Sequence, residues 1–257
     1  MPSVSFLRAV ATVVFIAVAT SLGSLYGLIL RLFDPSGDRV VDLARAWAGW
    51  VVSFAGVKIQ VEIRGKLDPA QPYVFMANHA SSLDIWAMFR VVPRRIRMIA
   101  KKQLSRIPLF GWVMWAGRFI FIDRQNGVAA RRSIDEAVRR VHDGESVVIY
   151  PEGTRTRDGK LGCFKKGGFH LAVKAGVPIV PVALRGTREL MPRKSLLLRS
   201  GTMKAIIGEP VPTQGLSEEE RANLSEKVRS IVEAMLAEEN PGPQATGGPQ
   251  PPVSDAQ

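Results

Sequence analysis

The sequence predicts an α/β fold, a mixed β-sheet flanked by helices, carried behind an N-terminal hydrophobic membrane-anchoring helical segment. Three observations predict it. Short apolar runs of strand length recur between residues 58 and 207, separated by stretches with helical periodicity. An uncharged run from Ala9 to Leu30 precedes them, bracketed by Arg8 and Arg31. A charged stretch with one apolar stripe, Ser217–Glu239, closes the ordered part of the chain.

Taken in order, Ala9–Leu30 is about as long as a helix must be to cross a hydrocarbon core. Arg8 and the Ala17-Val18-Ala19 triplet are also compatible with a cleaved signal peptide. The apolar run continues past that triplet to Leu32-Phe33, so an anchor fits better. Both a spanning helix and one lying in a single leaflet satisfy the length. In the next apolar stretch, Leu43–Val57, Trp47, Trp50 and Phe54 fall on one helical face. Beside an anchor, such a face is read as interfacial rather than as core.

Seven segments read as strands: Lys58–Arg64, Tyr73–Ala77, Arg97–Ala100, Phe119–Ile122, Ser146–Tyr150, Ile179–Ala183 and Met203–Ile207. Helices are expected over Leu83–Val91 and over Val128–His142, the latter with Ile134, Val138 and Val141 as its apolar stripe. Leu224, Val228, Ile231 and Met235 form the stripe of the C-terminal helix. Asn240–Gln257, rich in Pro, Gly and Gln, is expected to be disordered. The expected organisation is thus membrane-anchoring helices over residues 1–57, an α/β domain over 58–239 and a tail over 240–257.

Composition narrows the function. The 257 residues carry a formal net charge of +12, which asks for an anionic partner: nucleic acid, anionic lipid or a phosphorylated small substrate. The basic stretches lack interleaved aromatics and follow a hydrophobic anchor, which argues against nucleic acid. Cys163 is the single cysteine, so neither an intrachain disulfide nor a multi-cysteine metal site is available. The three histidines have no zinc-binding spacing, and no nucleophile elbow, P-loop or dinucleotide fingerprint occurs.

The chemistry centres on residues 76–86, Met-Ala-Asn-His-Ala-Ser-Ser-Leu-Asp-Ile-Trp. His79 is a candidate general base, and Asp84 can fix its tautomer and stabilise the imidazolium. Positions i and i+5 diverge by about 140° around a helix, so the two side chains meet only if His79 lies in the turn before a helix and Asp84 in its first turn. The same residues also read as a helix cap, with Ser81-x-x-Asp84 close to a capping box. Basic residues recur in turns after strands, in Lys101-Lys102, Asp123-Arg124 and Pro151-Glu152-Gly153-Thr154-Arg155. Groups at such strand ends converge in α/β sheets, and arginine there matches phosphate oxygens.

Asn78-His79-x4-Asp84, Phe121-Ile122-Asp123-Arg124, Pro151 to Arg155 and Val177-Pro178-Ile179-Val180-Pro181-Val182 together resemble the glycerolipid acyltransferase family. The resemblance is nearest to bacterial 1-acyl-glycerol-3-phosphate (lysophosphatidic acid) acyltransferases and covers roughly residues 55 to 212. It implies His79 as general base, Asp84 as its orienting partner, and Arg124 and Arg155 as ligands of the acceptor phosphate. Glu152, Gly153 and Thr154 would shape that site, and Lys101 would add positive charge. Many relatives have Phe at the position of Tyr150 and Glu at that of Gln103, departures that leave the proposed chemistry untouched. No metal or cofactor is implied, the acyl-CoA or acyl carrier protein thioester being a co-substrate, and Cys163 reads as a passive loop cysteine.

The expected partners are the phospholipid bilayer, lysophosphatidic acid and the acyl donor, with the catalytic domain on the cytoplasmic face of a bacterial inner membrane. A basic surface including Arg94, Arg95, Arg97 and Arg106 suits anionic lipids or an acidic carrier. Other acceptors, glycerol 3-phosphate or lyso-ornithine lipid, fit the same chemistry. A non-catalytic lipid-binding protein and a hydrolase are the alternatives of other classes.

Overall fold

A computed structural model describes residues 2–123, 127–156, 158–195 and 197–238. In chain order the elements are α1 (Pro2–Phe33), α2 (Asp38–Ala55), β1 (Val57–Ile63), β2 (Val74–Ala77), α3 (Leu83–Val91), β3 (Ile96–Lys101) and a 3₁₀ turn (Lys102–Arg106). They continue with α4 (Phe110–Ala116), β4 (Ile120–Ile122), α5 (Gly127–His142), β5 (Ser146–Ile149), α6 (Gly167–Ala175), β6 (Ile179–Arg185), α7 (Thr187–Leu190), β7 (Gly201–Ile207) and α8 (Glu218–Ala237). All seven expected strands are present, together with the helices expected around residues 83–91, 128–142 and 217–239. The tail over 240–257 lies outside the described residues.

The strands form one sheet in the order β1-β7-β6-β2-β5-β3-β4. Pairing is parallel throughout except between β6 and β7, so the sheet is mixed, as expected. β2 occupies the central place. Alternate residues divide between the faces: Phe75 and Ala77 join a core with α2 and α3, while Val74 and Met76 join one with α5, α6 and α8. Because both faces of β2 and β5 are covered, every residue in them is buried and they read as continuous apolar runs.

The C-terminal helix departs slightly from its expected stripe. Leu224, Val228, Val232 and Met235 are buried, and Ile231 is only partly so. Positions i+3 and i+4 after Val228 flank the same face, and the sheet takes Val232. Burial of a side chain such as Val228 or Val232 is worth roughly 1.5–3 kcal/mol. Ser217 and Glu220 close a reciprocal capping box at the start of this helix.

The N-terminal pair packs along the domain. α1 touches α2 and α4 over most of its length. Arg8 Nη2 donates to the Phe54 carbonyl at 3.3 Å, and Phe15 stacks on Phe54 with centroids 4.5 Å apart. Near the other end, the Arg31 guanidinium lies 5.5 Å above the Trp115 ring. Val10, Val14, Val18, Leu22, Leu25 and Ile29 form an exposed apolar stripe along α1.

The expected aromatic face of α2 is split. Trp47 turns inward, edge-on to Trp86 at 5.9 Å, whereas Trp50 and Phe54 are 53% and 43% exposed. Seven residues advance a helix by about 10 Å, so one face meets α3 at Trp47 and α1 at Phe54. Part of the expected basic surface is engaged in structure, with Arg97 buried and Arg94 half-buried. Arg94 donates to the Asp68 and Gln71 carbonyls across the Tyr73 ring, Arg95 forms a two-pronged pair with Asp42, and Arg97, 2% exposed, lies 2.6 Å from Asp38. These arginines sit at the amino end of β3, where they staple α2 and a loop to the sheet, and of the four Arg95 and Arg106 are exposed. The guanidinium fork satisfies several buried acceptors at once, which explains its use there.

The turn between α1 and α2 holds them in register. Asp34 accepts the backbone N–H of Arg39 at 2.7 Å and of Ser36 at 3.1 Å. These bonds lower its pKa from 3.8 to about 2. Gly37 has φ 72°, and a Cβ there would stand 2.6 Å from the Ala116 carbonyl oxygen. Because the folded pKa of Asp34 is depressed, its contribution to stability is complete above the unfolded value of 3.8 and is lost as pH falls toward about 2. Asp34→Ala is therefore expected to lower the melting temperature of the detergent-solubilised protein at neutral pH. Melts at a series of pH values should show the gap from wild type closing across that acid window.

Candidate active site

The turn after β2 departs from the sheet because Asn78 ends the ladder with its side chain. Its Nδ2 donates to the Leu184 carbonyl at 3.0 Å, and its Oδ1 accepts the Leu184 N–H at 2.7 Å. A side-chain amide thus stands in for a strand residue, and the backbone turns away at His79. Both backbone groups of His79 are held by the loop after β5. Its N–H donates to Glu152 Oε1 at 2.7 Å, and its carbonyl accepts the Thr156 N–H at 2.9 Å.

His79 lies in the turn before α3, and Asp84 is the second residue of that helix. Nδ1 of His79 is 2.8 Å from Asp84 Oδ2. The same oxygen accepts the backbone N–H groups of Ala80 and Ser81, each at 2.8 Å. Since a carboxylate only accepts, Nδ1 carries the hydrogen of the neutral ring, and Nε2 is left with a lone pair. Ser81 Oγ accepts the Leu83 N–H at 3.1 Å and donates to the Met191 carbonyl at 2.7 Å. The pairing holds, and the capping box is only half formed: the buried Asp84 carboxylate accepts the Ser81 N–H, but Ser82, the residue before α3, makes no side-chain cap bond.

Tyr150 stacks on the imidazole, ring centroids 4.1 Å apart and planes 20° off parallel. Burial, reinforced by the charge of Asp84, pushes its hydroxyl pKa well above the ordinary phenol value, so the group stays protonated at neutral pH. Glu152 bridges two loops, with Oε1 on His79 and Oε2 accepting the Gly162 N–H at 3.0 Å. Burial raises its pKa against the opposing pull of these hydrogen bonds. Both of its oxygens thus serve the backbone, and Glu152 acts on the site through the position of His79. Gly153, at φ 77°, makes the turn that brings the following residues beside α3.

Arg155 reaches across that turn and donates from Nη1 to Ser82 Oγ at 2.7 Å. Its carbonyl accepts from Arg193 Nη1 at 3.0 Å. His79, Lys101, Gly153, Thr154, Arg155 and Arg193 all line one cavity of about 530 Å³. From this polar mouth the cavity continues between apolar walls supplied by Leu43 and Trp47 of α2, Ile85 and Phe89 of α3 and Val113 of α4. Ala19, Thr20, Gly23 and Ser24 of α1 complete it. The volume falls in the range of roughly 300–1,000 Å³ typical of small-ligand sites.

The expected site residues are therefore brought together, with one exception in the description: Arg124 lies outside the described residues. Its neighbour Asp123 lies 3.3 Å from Lys102 Nζ. Cys163 is exposed and, like His142 and His170, does not line the cavity. Sequence reasoning passed over Ser82 and Arg193. Ser82 follows directly on the motif and carries a readable signal as the residue before α3. Arg193 belongs to no motif and is recruited by a loop remote in sequence. The chemistry on offer is an imidazole held through Nδ1 by Asp84, set between a cationic mouth and an apolar cavity.

The comparisons agree with this geometry. Residues 58–185 match the family model described as Acyltransferase. The chain is 38% identical over 183 residues to human 1-acyl-sn-glycerol-3-phosphate acyltransferase alpha, covering 70% of this chain and 65% of that protein. It therefore spans just under two thirds of the length of that relative. It is 31% identical over 220 residues to the 1-acyl-sn-glycerol-3-phosphate acyltransferase of Haemophilus influenzae, covering 84% of this chain and 88% of the relative. The crystal structure of the 1-acyl-sn-glycerophosphate (LPA) acyltransferase PlsC from Thermotoga maritima is similar with a TM-score of 0.74 at 27% identity, over 92% of this chain and 99% of that one. Sequence, sheet and site together establish that the chain belongs to the acyltransferase family.

Proposed function

We propose that the protein transfers a fatty acyl group from a thioester to the free sn-2 hydroxyl of 1-acyl-glycerol 3-phosphate, giving phosphatidic acid for phospholipid synthesis. The observation that carries this reading is the His79–Asp84 pair set at the junction of a cationic mouth and an apolar cavity. Nε2 of His79 takes the proton of the acceptor hydroxyl as that oxygen attacks the thioester carbonyl. Asp84 holds the ring orientation and stabilises the imidazolium. As the tetrahedral intermediate collapses, the C–S bond breaks and the imidazolium returns the proton to the thiolate. No protein nucleophile, metal or cofactor is needed.

Arg155, with Lys101 and Arg124, binds the acceptor phosphate and thereby holds the hydroxyl against the base, an effect of positioning that is worth several kcal/mol. The apolar cavity receives an acyl chain. Acyl-CoA and acyl carrier protein both satisfy this scheme as donor. The alternative acceptor lyso-ornithine lipid offers a single carboxylate in place of the phosphate monoester, and so a smaller charge for the arginine cluster to match.

Residues 1–57 act as the membrane anchor and 58–239 as the catalytic domain in this proposal. Within α1, Val10–Phe33 is of membrane-spanning length and apolarity. The contacts of α1 with α2 at Arg8 and Phe15 and with the domain at Arg31 favour a helix lying along the membrane surface with the domain beside it. The exposed stripe of α1, with Trp50, Trp112 and Trp115, then enters the headgroup region of the cytoplasmic leaflet.

Incubation of the purified protein with 1-acyl-glycerol 3-phosphate and an acyl thioester is expected to yield phosphatidic acid by mass spectrometry, and its absence with both donors would overturn the assignment. His79→Ala should lower kcat by about 10³-fold or more and Asp84→Asn by about 10²–10⁴-fold, with circular dichroism showing both variants folded. A Cβ at Gly23 meets nothing within 4 Å, so Gly23→Phe is expected to project its ring into the cavity. In competition between mixed thioesters, that variant should shift the products toward shorter chains while still turning over.

A further inference from the structure

We propose that Arg193 is a second arginine ligand of the acceptor phosphate and, with Arg155, a determinant of selectivity for a phosphate monoester over uncharged acceptors. The inference rests on the proposed acyl transfer and concerns a residue outside every sequence motif of the site.

Arg193 lies between α7 and β7, some forty residues beyond Arg155 in sequence, yet it lines the same cavity as His79, Ser82 and Arg155. Two bonds hold its loop to the catalytic segments. Ser81 Oγ donates to the Met191 carbonyl at 2.7 Å, which fastens the loop to the turn carrying His79. Arg193 Nη1 donates to the Arg155 carbonyl at 3.0 Å, which fastens the side chain to the loop carrying Arg155. One N–H of the fork is thereby engaged, and the remaining donors of a five-donor guanidinium are available to an anion.

The backbone beside it is strained. Lys194 has φ 71°, a left-handed conformation unusual for a non-glycine residue. It occupies the third position of a turn closed by the Ser195 N–H donating to the Pro192 carbonyl at 3.0 Å. Strain of this kind persists where surrounding contacts over-determine it, and it clusters at ligand clamps.

Substrate geometry selects the acceptor phosphate as its partner. Two carbons and one ester oxygen separate the sn-2 hydroxyl oxygen from phosphorus. A hydroxyl on Nε2 of His79 therefore puts the phosphate beside the segments that flank His79. Arg155 and Arg193 extend from those segments and are linked to each other. Two forks match the several oxygens of a phosphate monoester, an arrangement that Lys at either position does not reproduce.

The test is steady-state kinetics of Arg193→Ala and Arg193→Lys, with the KM for each substrate measured separately. Arg193→Ala is expected to raise the KM for 1-acyl-glycerol 3-phosphate by about ten- to hundredfold with kcat little changed, since the interaction acts in ground and transition states alike. The KM for the thioester should stay constant, inhibition by glycerol 3-phosphate should weaken in parallel, and Arg193→Lys should recover only part of the loss. A rise confined to the thioester KM would overturn the proposal and assign Arg193 to the phosphates of the donor. An unchanged acceptor KM, or a fall in kcat with a lowered melting temperature, would overturn it in favour of no role or a structural one. If wild type forms phosphatidic acid and Arg155→Ala raises the acceptor KM while Arg193→Ala does not, this inference alone fails. If wild type forms none, the underlying reading fails.

Discussion

One carboxylate oxygen organises the candidate active site. Asp84 Oδ2 accepts His79 Nδ1 and two backbone N–H groups, each at 2.8 Å. A buried carboxylate is costly unless it is hydrogen-bonded, and bonds to charged groups contribute roughly 1.5–3 kcal/mol each. The turn that satisfies Asp84 Oδ2 is therefore the turn that presents His79, and the two cannot be separated without leaving that oxygen unpaired. Around it, Asn78, Glu152 and Thr156 fix the backbone of the same turn from β6 and from the loop after β5. The imidazole is constrained from its ring, its main chain and the Tyr150 face.

The sheet explains why these segments meet. β2 is central, with β5 and β6 parallel on either side, so three chain reversals leave the sheet at one edge. Functional groups accumulate at such carboxyl ends because the crossover loops pass there while both faces are already occupied by helices. Lys101 from β3 and Arg155 beyond β5 reach the cavity by this route. Arg94, Arg95 and Arg97 stand at the opposite end of β3, and there the same type of residue serves as a structural staple.

The N-terminal helices are more than an attachment. α2 contributes Ala48, Val51, Val52 and Ala55 to the core shared with the sheet, and α1 supplies one wall of the cavity. In the proposed function, the element that meets the lipid surface is also the one that encloses the acyl chain. Substrate entry from the bilayer and chain selection then depend on the packing of one helix. Gly27 permits its close approach, since a Cβ there would come within 2.5 Å of a Val113 methyl.

The sequence by itself determined the α/β class, the seven strands, the apolar N-terminal helix and the pairing of His79 with Asp84. Each is a local property: a run of apolar residues, a periodicity or a spacing that only a turn before a helix can satisfy. Side-chain environments set by distant contacts were not legible. The three aromatics of α2 share a face in sequence, but Trp47 meets Trp86 while Trp50 meets solvent, because different neighbours cover successive turns. Charge counted along the chain could not distinguish the buried Arg97 from the exposed Arg106. Only the tertiary structure brought Arg193 beside Arg155 and closed α1 over the cavity, because these contacts join segments whose proximity depends on strand order, and strand order leaves no periodic mark in the sequence.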